Sequence, residues 1–458
     1  MRYPSELHSL GIRLGSDVLV LNVVPVASVK SRWSGSFLIV LFAWGVASPT
    51  RLIAQGLPPC GTIAHCLPGI NLDGWTGGAT FQEQDQSVAL MKEAGVQLVR
   101  INTPWHALEP EQKGTYDTNL LGFYDHIVPA LCSNGMRCIF VNATTPYWAS
   151  ADPAKYTDLQ GEHWNGLYKP ANFTNYADLL VFLANRYKTY GSNVFEIWNE
   201  ENDAYFWPPA PSATNYLAML KACYTAIKQA DPQALVINGG LSDGSSSGVY
   251  LNTLYSNGAR PFFDVFSQHC YPHAPTTESV VFGNRSVMVS RGDSAKNIWV
   301  TECGWPTYTN ASDPNAVSPT TQAQYLNDLY TRLAGYSYVR AVFWYNLRSF
   351  DETQHEGSFG ILFPDFSKKP SFDALKNWTA AASLSCPPSI SSVQRLADGN
   401  VRVGFLGTTG LVYKVQSCDL FTNWQTIQSN LTSTNAVYSF DDLGATNFPN
   451  RFYRVVWP

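Results

Sequence analysis

Positive charge is scarce in this 458-residue chain: 30 Lys and Arg stand against 35 Asp and Glu, a net charge of −5, and no basic cluster occurs. A nucleic-acid partner is therefore not expected, because phosphate contacts need clustered Lys and Arg. Long apolar runs are lacking too. Phe37-Leu-Ile-Val-Leu-Phe-Ala-Trp44 is too short to span a bilayer comfortably. There is no internal repeat and no low-complexity linker. No Cys/His spacing of a zinc site occurs, so neither metal nor organic cofactor is expected. Gly69-Ile-Asn-Leu-Asp-Gly74 is a poor match to the phosphate loop that a doubly wound sheet would need. What the chain has in quantity is aromatic residues, with 14 Trp, 24 Tyr and 24 Phe. Such side chains stack on the apolar faces of sugars and also fill large cores, and composition alone does not separate the two.

Residues 1–54 read as a signal peptide or non-structural segment. Lys30 and Arg32 precede the short apolar run, and cleavage could follow Ala47 or Ala54. A secreted or periplasmic chain without stable membrane insertion is expected, an uncleaved anchor being the alternative. Nine cysteines fit export. Cys60 with Cys66, Cys132 with Cys138 and Cys386 with Cys418 could bridge, while Cys270 and Cys303 read as a disulfide or two buried thiols.

Between about residues 68 and 380, short apolar runs alternate with longer helical patterns. The runs are Leu98-Val-Arg-Ile101, Cys138-Ile-Phe-Val141, Val194-Phe-Glu-Ile-Trp198, Leu235-Val-Ile237 and four centred on Ile70, Val265, Ile298 and Val342. Continuous apolar strands suit a parallel sheet buried on both faces. Leu120, Tyr124, Ile127 and Leu131 keep the 3.6 period, as do Tyr176, Leu180, Leu183 and Tyr187, and Tyr325, Leu329 and Leu333. Eight strands separated by helices predict an α/β fold, a (β/α)8 TIM barrel over 55–385. After Cys386-Pro-Pro388 the alternation of Val401, Val403 and Phe405 and the turn-rich spacing predict a small C-terminal β-sandwich over 386–458. Trp424 and Tyr413 there could bind glycan, or the module could be structural.

Active sites of such barrels lie at the C-terminal ends of the strands. The fourth strand ends Ile197-Trp-Asn-Glu-Glu-Asn202 and the seventh Trp299-Val-Thr-Glu-Cys-Gly-Trp305. These strands face one another across the barrel mouth, so Glu200 and Glu302 converge. Two opposed carboxyl groups suit glycosidic cleavage, one protonating the leaving oxygen while the other attacks the anomeric carbon.

Asn199-Glu200 on strand four with Glu302 on strand seven resembles clan A of the retaining glycoside hydrolases. Trp198-Asn-Glu-Glu-Asn-Asp-Ala-Tyr-Phe-Trp207 and Thr145-Pro-Tyr-Trp-Ala-Ser150 resemble family 39, with the family 5 cellulases as near competitor. Glu201 departs from both, where Pro is usual. The resemblance implies Glu200 as general acid/base, Glu302 as nucleophile, and Asn199 on a sugar 2-hydroxyl. It also implies Tyr271 holding Glu302, His269 lining the pocket, Trp344 as the floor under the sugar, and Arg100 keeping Glu302 ionised. Trp148 is a candidate sugar platform, with Trp105, His106, Tyr147, Phe206 and Trp207 in the same rim loops. Plainer readings stand beside these: Arg100 pairing another acid, Trp344 in the core, His269 structural, Glu201 turned away or paired with a base. The expected function is hydrolysis of a β-linked oligo- or polysaccharide by a monomer. A non-catalytic polysaccharide-binding barrel and a transglycosylase using the same carboxylates are the alternatives.

Overall fold

The computed structural model describes residues 66–72, 79–155, 165–244, 246–271, 278–309, 313–384, 389–406, 413–418, 424–431, 437–447 and 451–456. Residues 1–54, Cys60, His273 and Cys386 lie outside them. The chain divides into two units, Ile63–Ser383 and a second that includes Leu384–Pro458.

In the first unit the strands are β1 (Leu67–Leu72), β2 (Leu98–Asn102), β3 (Arg137–Asn142), β4 (Val194–Ile197), β5 (Leu235–Asn238), β6 (Phe266–His269), β7 (Ile298–Cys303) and β8 (Val339–Trp344). All pair in parallel, in the order β5-β4-β3-β2-β1-β8-β7-β6. Parallel bridges Ile237–Val265 and Leu241–Gln268 join the two edge strands and close the barrel. The eight strands fall where the apolar runs place them.

Side chains alternate between the two faces of a strand. On β8, Phe343 faces the barrel interior, against Trp299 and Gly69. Trp344 faces the helical layer, where Trp305 links it to Tyr325 of the helix Pro319–Ala334. The helices turn one apolar stripe inward. In Phe173–Tyr187 the buried set is Tyr176, Ala177, Leu179, Leu180, Leu183, Ala184 and Tyr187, and Asn172 caps the start by accepting the Thr174 N–H. Each Leu so buried contributes ~1.5–3 kcal/mol of transfer free energy.

The second unit holds β9 (Ser389–Arg395), β10 (Val401–Leu406), β11 (Tyr413–Cys418), β12 (Gln425–Leu431), β13 (Val437–Asp442) and β14 (Phe452–Val456). They form two antiparallel sheets, β13-β10-β9 and β12-β11-β14, around Val403, Phe405, Tyr413, Val415, Tyr438 and Tyr453. Tyr413 is buried in this core and Trp424 is covered by the Arg454 guanidinium, 4.6 Å from its ring centroid. Both aromatic side chains thus serve the module itself, and neither offers a free sugar platform.

No bridge joins Cys132 to Cys138. They lie side by side as thiols, hydrogen-bonded to one another, with Cys132 Sγ 3.1 Å from Ser192 Oγ. Cys303 also keeps its thiol, which donates to the Phe343 carbonyl at 3.3 Å.

Candidate active site

At the end of β4 the backbone leaves the strand in an unusual way. Trp198 and Glu200 both have positive φ, 77° and 47°, which costs ~1–3 kcal/mol each for a non-glycine residue. Packing holds them there. Trp198 is buried between Tyr176 and Trp207 and its indole N–H donates to Phe206 O at 2.7 Å. The Glu200 N–H donates to Gly239 O at 2.7 Å. Gly239 is required by that approach, since a Cβ there would stand 2.7 Å from Ile197 O. The turn points Glu200 into the cleft instead of continuing the strand.

From β7, Glu302 meets Glu200 through one imidazole. His269 Nδ1 lies 2.7 Å from Glu200 Oε1 and 3.5 Å from Glu302 Oε2. The sum of those distances bounds the separation of the two oxygens, and it falls below the ~6.5–9.5 Å of an inverting carboxyl pair. His269 is fully buried beneath the two acids and does not form the cleft wall.

Arg100, rising from β2, organises the base of the site. Its Nε is 2.6 Å from Glu196 Oε2, Nη1 reaches Glu302 Oε1 at 2.5 Å and Asn71 Oδ1 at 3.0 Å, and Nη2 donates to Asn199 Oδ1 at 2.7 Å. Both sequence readings of this arginine hold together: it pairs with Glu302 and with another acid. Asn199 gives its oxygen to Arg100 and lines the cleft. Tyr271 donates its hydroxyl to Glu302 Oε2 at 2.6 Å.

These neighbours drive the two carboxyl groups apart. Burial alone would raise the Glu302 pKa, but His269, Arg100 and the Tyr271 hydroxyl outweigh it and hold it below the ordinary carboxylate value. Glu200 lies above that value. Burial raises it, the His269 hydrogen bond opposes, and the charges of Glu302 and Asp203 add to the rise. Burial would lower His269, but Glu302 and Glu200 outweigh it and raise its pKa.

The cleft holds about 700 Å³. Trp344 is not on its wall, because strand alternation turns it outward to Trp305, and its indole donates to Phe359 O at 3.0 Å. The next residue, Tyr345, lines the cleft instead, edge-on to Tyr271 and Phe359. Trp148 is likewise displaced: its indole N–H donates to Glu109 O and its ring packs edge-on against Trp105. Of the other rim aromatics only Phe206 lines the cleft, joined by Tyr205. Glu201 does not face the cleft, and it pairs with no base: its carboxyl oxygens are buried without a hydrogen-bond partner. Sequence reading missed Asn71, Glu196, Asp203, Tyr345, His355 and Phe359. Glu196 had a signal, a lone charge inside an apolar strand.

A sequence model described as Cellulase (glycosyl hydrolase family 5) matches residues 62–340. The chain belongs to this family. Beta-glucosidase A of Acetivibrio thermocellus is 27% identical to it over 172 residues, so the match spans 35% of this chain and 35% of that relative. A family 39 glycoside hydrolase from the gut symbiont Bacteroides cellulosilyticus WH2 superposes with a TM-score of 0.53 at 20% identity, covering 85% of this chain and 80% of that one. A monomeric beta-xylosidase from Caulobacter crescentus CB15 gives 0.52 at 16% identity, over 80% and 84%. A GH5_18 enzyme from Bifidobacterium longum, titled as a complex with Manb1-4GlcNAc, gives 0.51 at 14% identity, over 69% and 78%. The family assignment is thus to family 5, and solved family 39 and family 5 enzymes share the fold.

Proposed function

We propose that this family 5 chain is an exported, retaining β-glycoside hydrolase that cleaves an uncharged β-linked oligo- or polysaccharide by double displacement. Glu302 is the nucleophile and Glu200 the general acid/base. The observation that carries this reading is the single His269 nitrogen in reach of both carboxyl groups, whose surroundings separate their proton affinities. Glu302, kept ionised, attacks the anomeric carbon while Glu200 donates its proton to the departing oxygen. Glu200 then takes a proton from water, whose oxygen displaces Glu302. Asn199 offers its amide nitrogen to a sugar hydroxyl and Tyr345 supplies the aromatic surface beneath the ring. The substrate is uncharged because Arg100 is the only Lys or Arg among the described cleft residues, and it already serves Glu196 and Glu302. Asp203 and Glu356 add negative charge to the walls. Export rests on the Lys30–Trp44 stretch of the sequence.

A panel of aryl β-glycosides and polysaccharides tests this reading. Glu302→Gln is expected to abolish turnover, while Glu200→Gln keeps it only on substrates with good leaving groups, losing ~10²–10⁴-fold on others. Full activity in Glu302→Gln, or tight glycan binding with no sugar released by the unaltered chain, sinks it.

A further inference from the structure

Behind the carboxyl pair lies a second buried polar cluster that the proposed reaction does not use. Glu201 is fully buried, and neither carboxyl oxygen has a hydrogen-bond partner. The Tyr250 hydroxyl and His269 Nε2 are likewise buried without partners. These orphaned atoms gather around two consecutive glycines that follow β5. A Cβ on Gly239 would stand 2.5 Å from Glu201 Oε2, and one on Gly240 2.3 Å from His269 Nε2 and 2.8 Å from Glu196 Oε1. Neighbouring α-carbons are ~3.8 Å apart, so a single peptide unit separates the Glu201 carboxyl group from the rear edge of His269. Leaving one buried polar group unmatched costs ~1–3 kcal/mol, and here four such atoms lie behind one residue pair.

We propose that Glu201 is a positioning residue of the reaction: from behind Glu200, its buried carboxyl group controls which member of the Glu200–His269 pair carries their shared proton. The inference rests on the reading of Glu200 as acid/base. His269 presents Nδ1 to Glu200 and Nε2 to the Glu201 side, so a charge at Glu201 is felt first by the imidazole. Burial pushes the Glu201 carboxyl up to about 8. Below that pH it is uncharged and the shared proton remains available to Glu200. Above it, the new carboxylate favours imidazolium, draws the proton onto His269 and leaves Glu200 unable to protonate a leaving group.

The other groups facing this cluster do not switch in the same range. Glu201 also faces Glu196 from β4, Tyr176 from the helix Phe173–Tyr187, Tyr216 from Ala213–Ala230 and Tyr250 from Ser247–Ser256. Burial raises all three phenols far enough to stay neutral. His269 faces Glu200, Glu302 and Arg100, with Glu196 beside Gly240. Glu302 is held below the ordinary carboxylate value, and Arg100 is a guanidinium at any working pH.

Two measurements on the full chain decide the matter. In the first, kcat/KM is followed against pH for the unaltered chain and Glu201→Gln. The variant is expected to hold activity further into alkali, its ratio of kcat/KM at about pH 9 to that at about pH 7 rising about tenfold. Superimposable alkaline limbs overturn the proposal. In the second, without substrate, the ring nitrogens of His269 are followed by NMR, with His269→Gln for assignment. A step near pH 8 is expected in the unaltered chain and not in Glu201→Gln; the same step in both overturns the proposal. This arm is independent of turnover, so it separates failure of the Glu201 inference from failure of the glycosidase reading. If Glu201→Gln does not fold, Tyr250→Phe replaces it. Loss of that neighbouring hydroxyl disfavours the carboxylate and is expected to move the His269 step to higher pH, and an unmoved step overturns the proposal.

Discussion

At the scale of single residues, a one-position offset separates packing from function at the end of β8. Trp344 and Tyr345 are adjacent and both aromatic, yet alternation sends one to the helical layer and the other to the cleft. Their substitutions should therefore fail differently. Tyr345→Ala is expected to raise KM about tenfold, the factor given by ~1.4 kcal/mol of lost stacking, with little change in melting temperature. Trp344→Ala is expected to cost ~3–5 kcal/mol of stability, because it empties a buried, close-packed volume. Urea denaturation and steady-state kinetics on both variants check this. A large stability loss in Tyr345→Ala with unchanged KM would return the platform to Trp344. The sequence placed an aromatic residue at the right strand end, and the exact position depended on which strand face residue 344 occupies. Glu200 and Glu302 were legible because each follows an apolar strand. Glu201 was not, because a buried carboxyl group without a partner has no sequence signature.

At the scale of elements, what was legible was whatever repeats. Strands with continuous apolar residues and helices with a 3.6 period announce themselves locally. The segment from Tyr345 to Lys369, which carries His355 and Phe359 to the cleft, has no period, and its order comes from contacts distant in sequence. Lys369 is fully buried, where a lysine would be read as surface. Its Nζ lies 2.6 Å from Glu352 Oε1, 2.7 Å from Thr307 Oγ1, 2.9 Å from Ser349 Oγ and 3.0 Å from Ser358 O. One ammonium thus ties the loop after β7 to three points of the segment after β8. Lys369→Met is expected to destabilise the barrel by about 3 kcal/mol, the low end for breaking a buried pair, since Glu352 keeps some contact with water. A urea midpoint that falls at constant m-value is the expected readout, with KM rising as the cleft wall loosens. An unchanged midpoint would show that this buried ammonium does not fasten the two loops.

At the scale of the whole molecule, the deciding quantity is where the charges sit. The composition gives a net charge of −5, which by itself says little about substrate. The fold adds the placement: Glu200, Asp203, Glu302 and Glu356 line the cleft, with Arg100 at its base held by Glu196 and Glu302. A sugar bearing a carboxylate would enter a negative field with no free guanidinium or ammonium on the described walls to receive it. An aryl β-glycoside of a neutral sugar is therefore expected to be turned over at least about 10²-fold more efficiently than the matching uronide, about 3 kcal/mol of discrimination. Salt supplies the diagnostic. Raising ionic strength from about 0.01 M to about 1 M shortens the screening length from ~30 Å to ~3 Å. The neutral substrate should then change little, while kcat/KM for the uronide rises and the gap narrows. Shape exclusion would leave the gap unchanged with salt. A uronide cleaved as well as its neutral counterpart at low ionic strength would show instead that the cleft walls do not set the charge of the substrate.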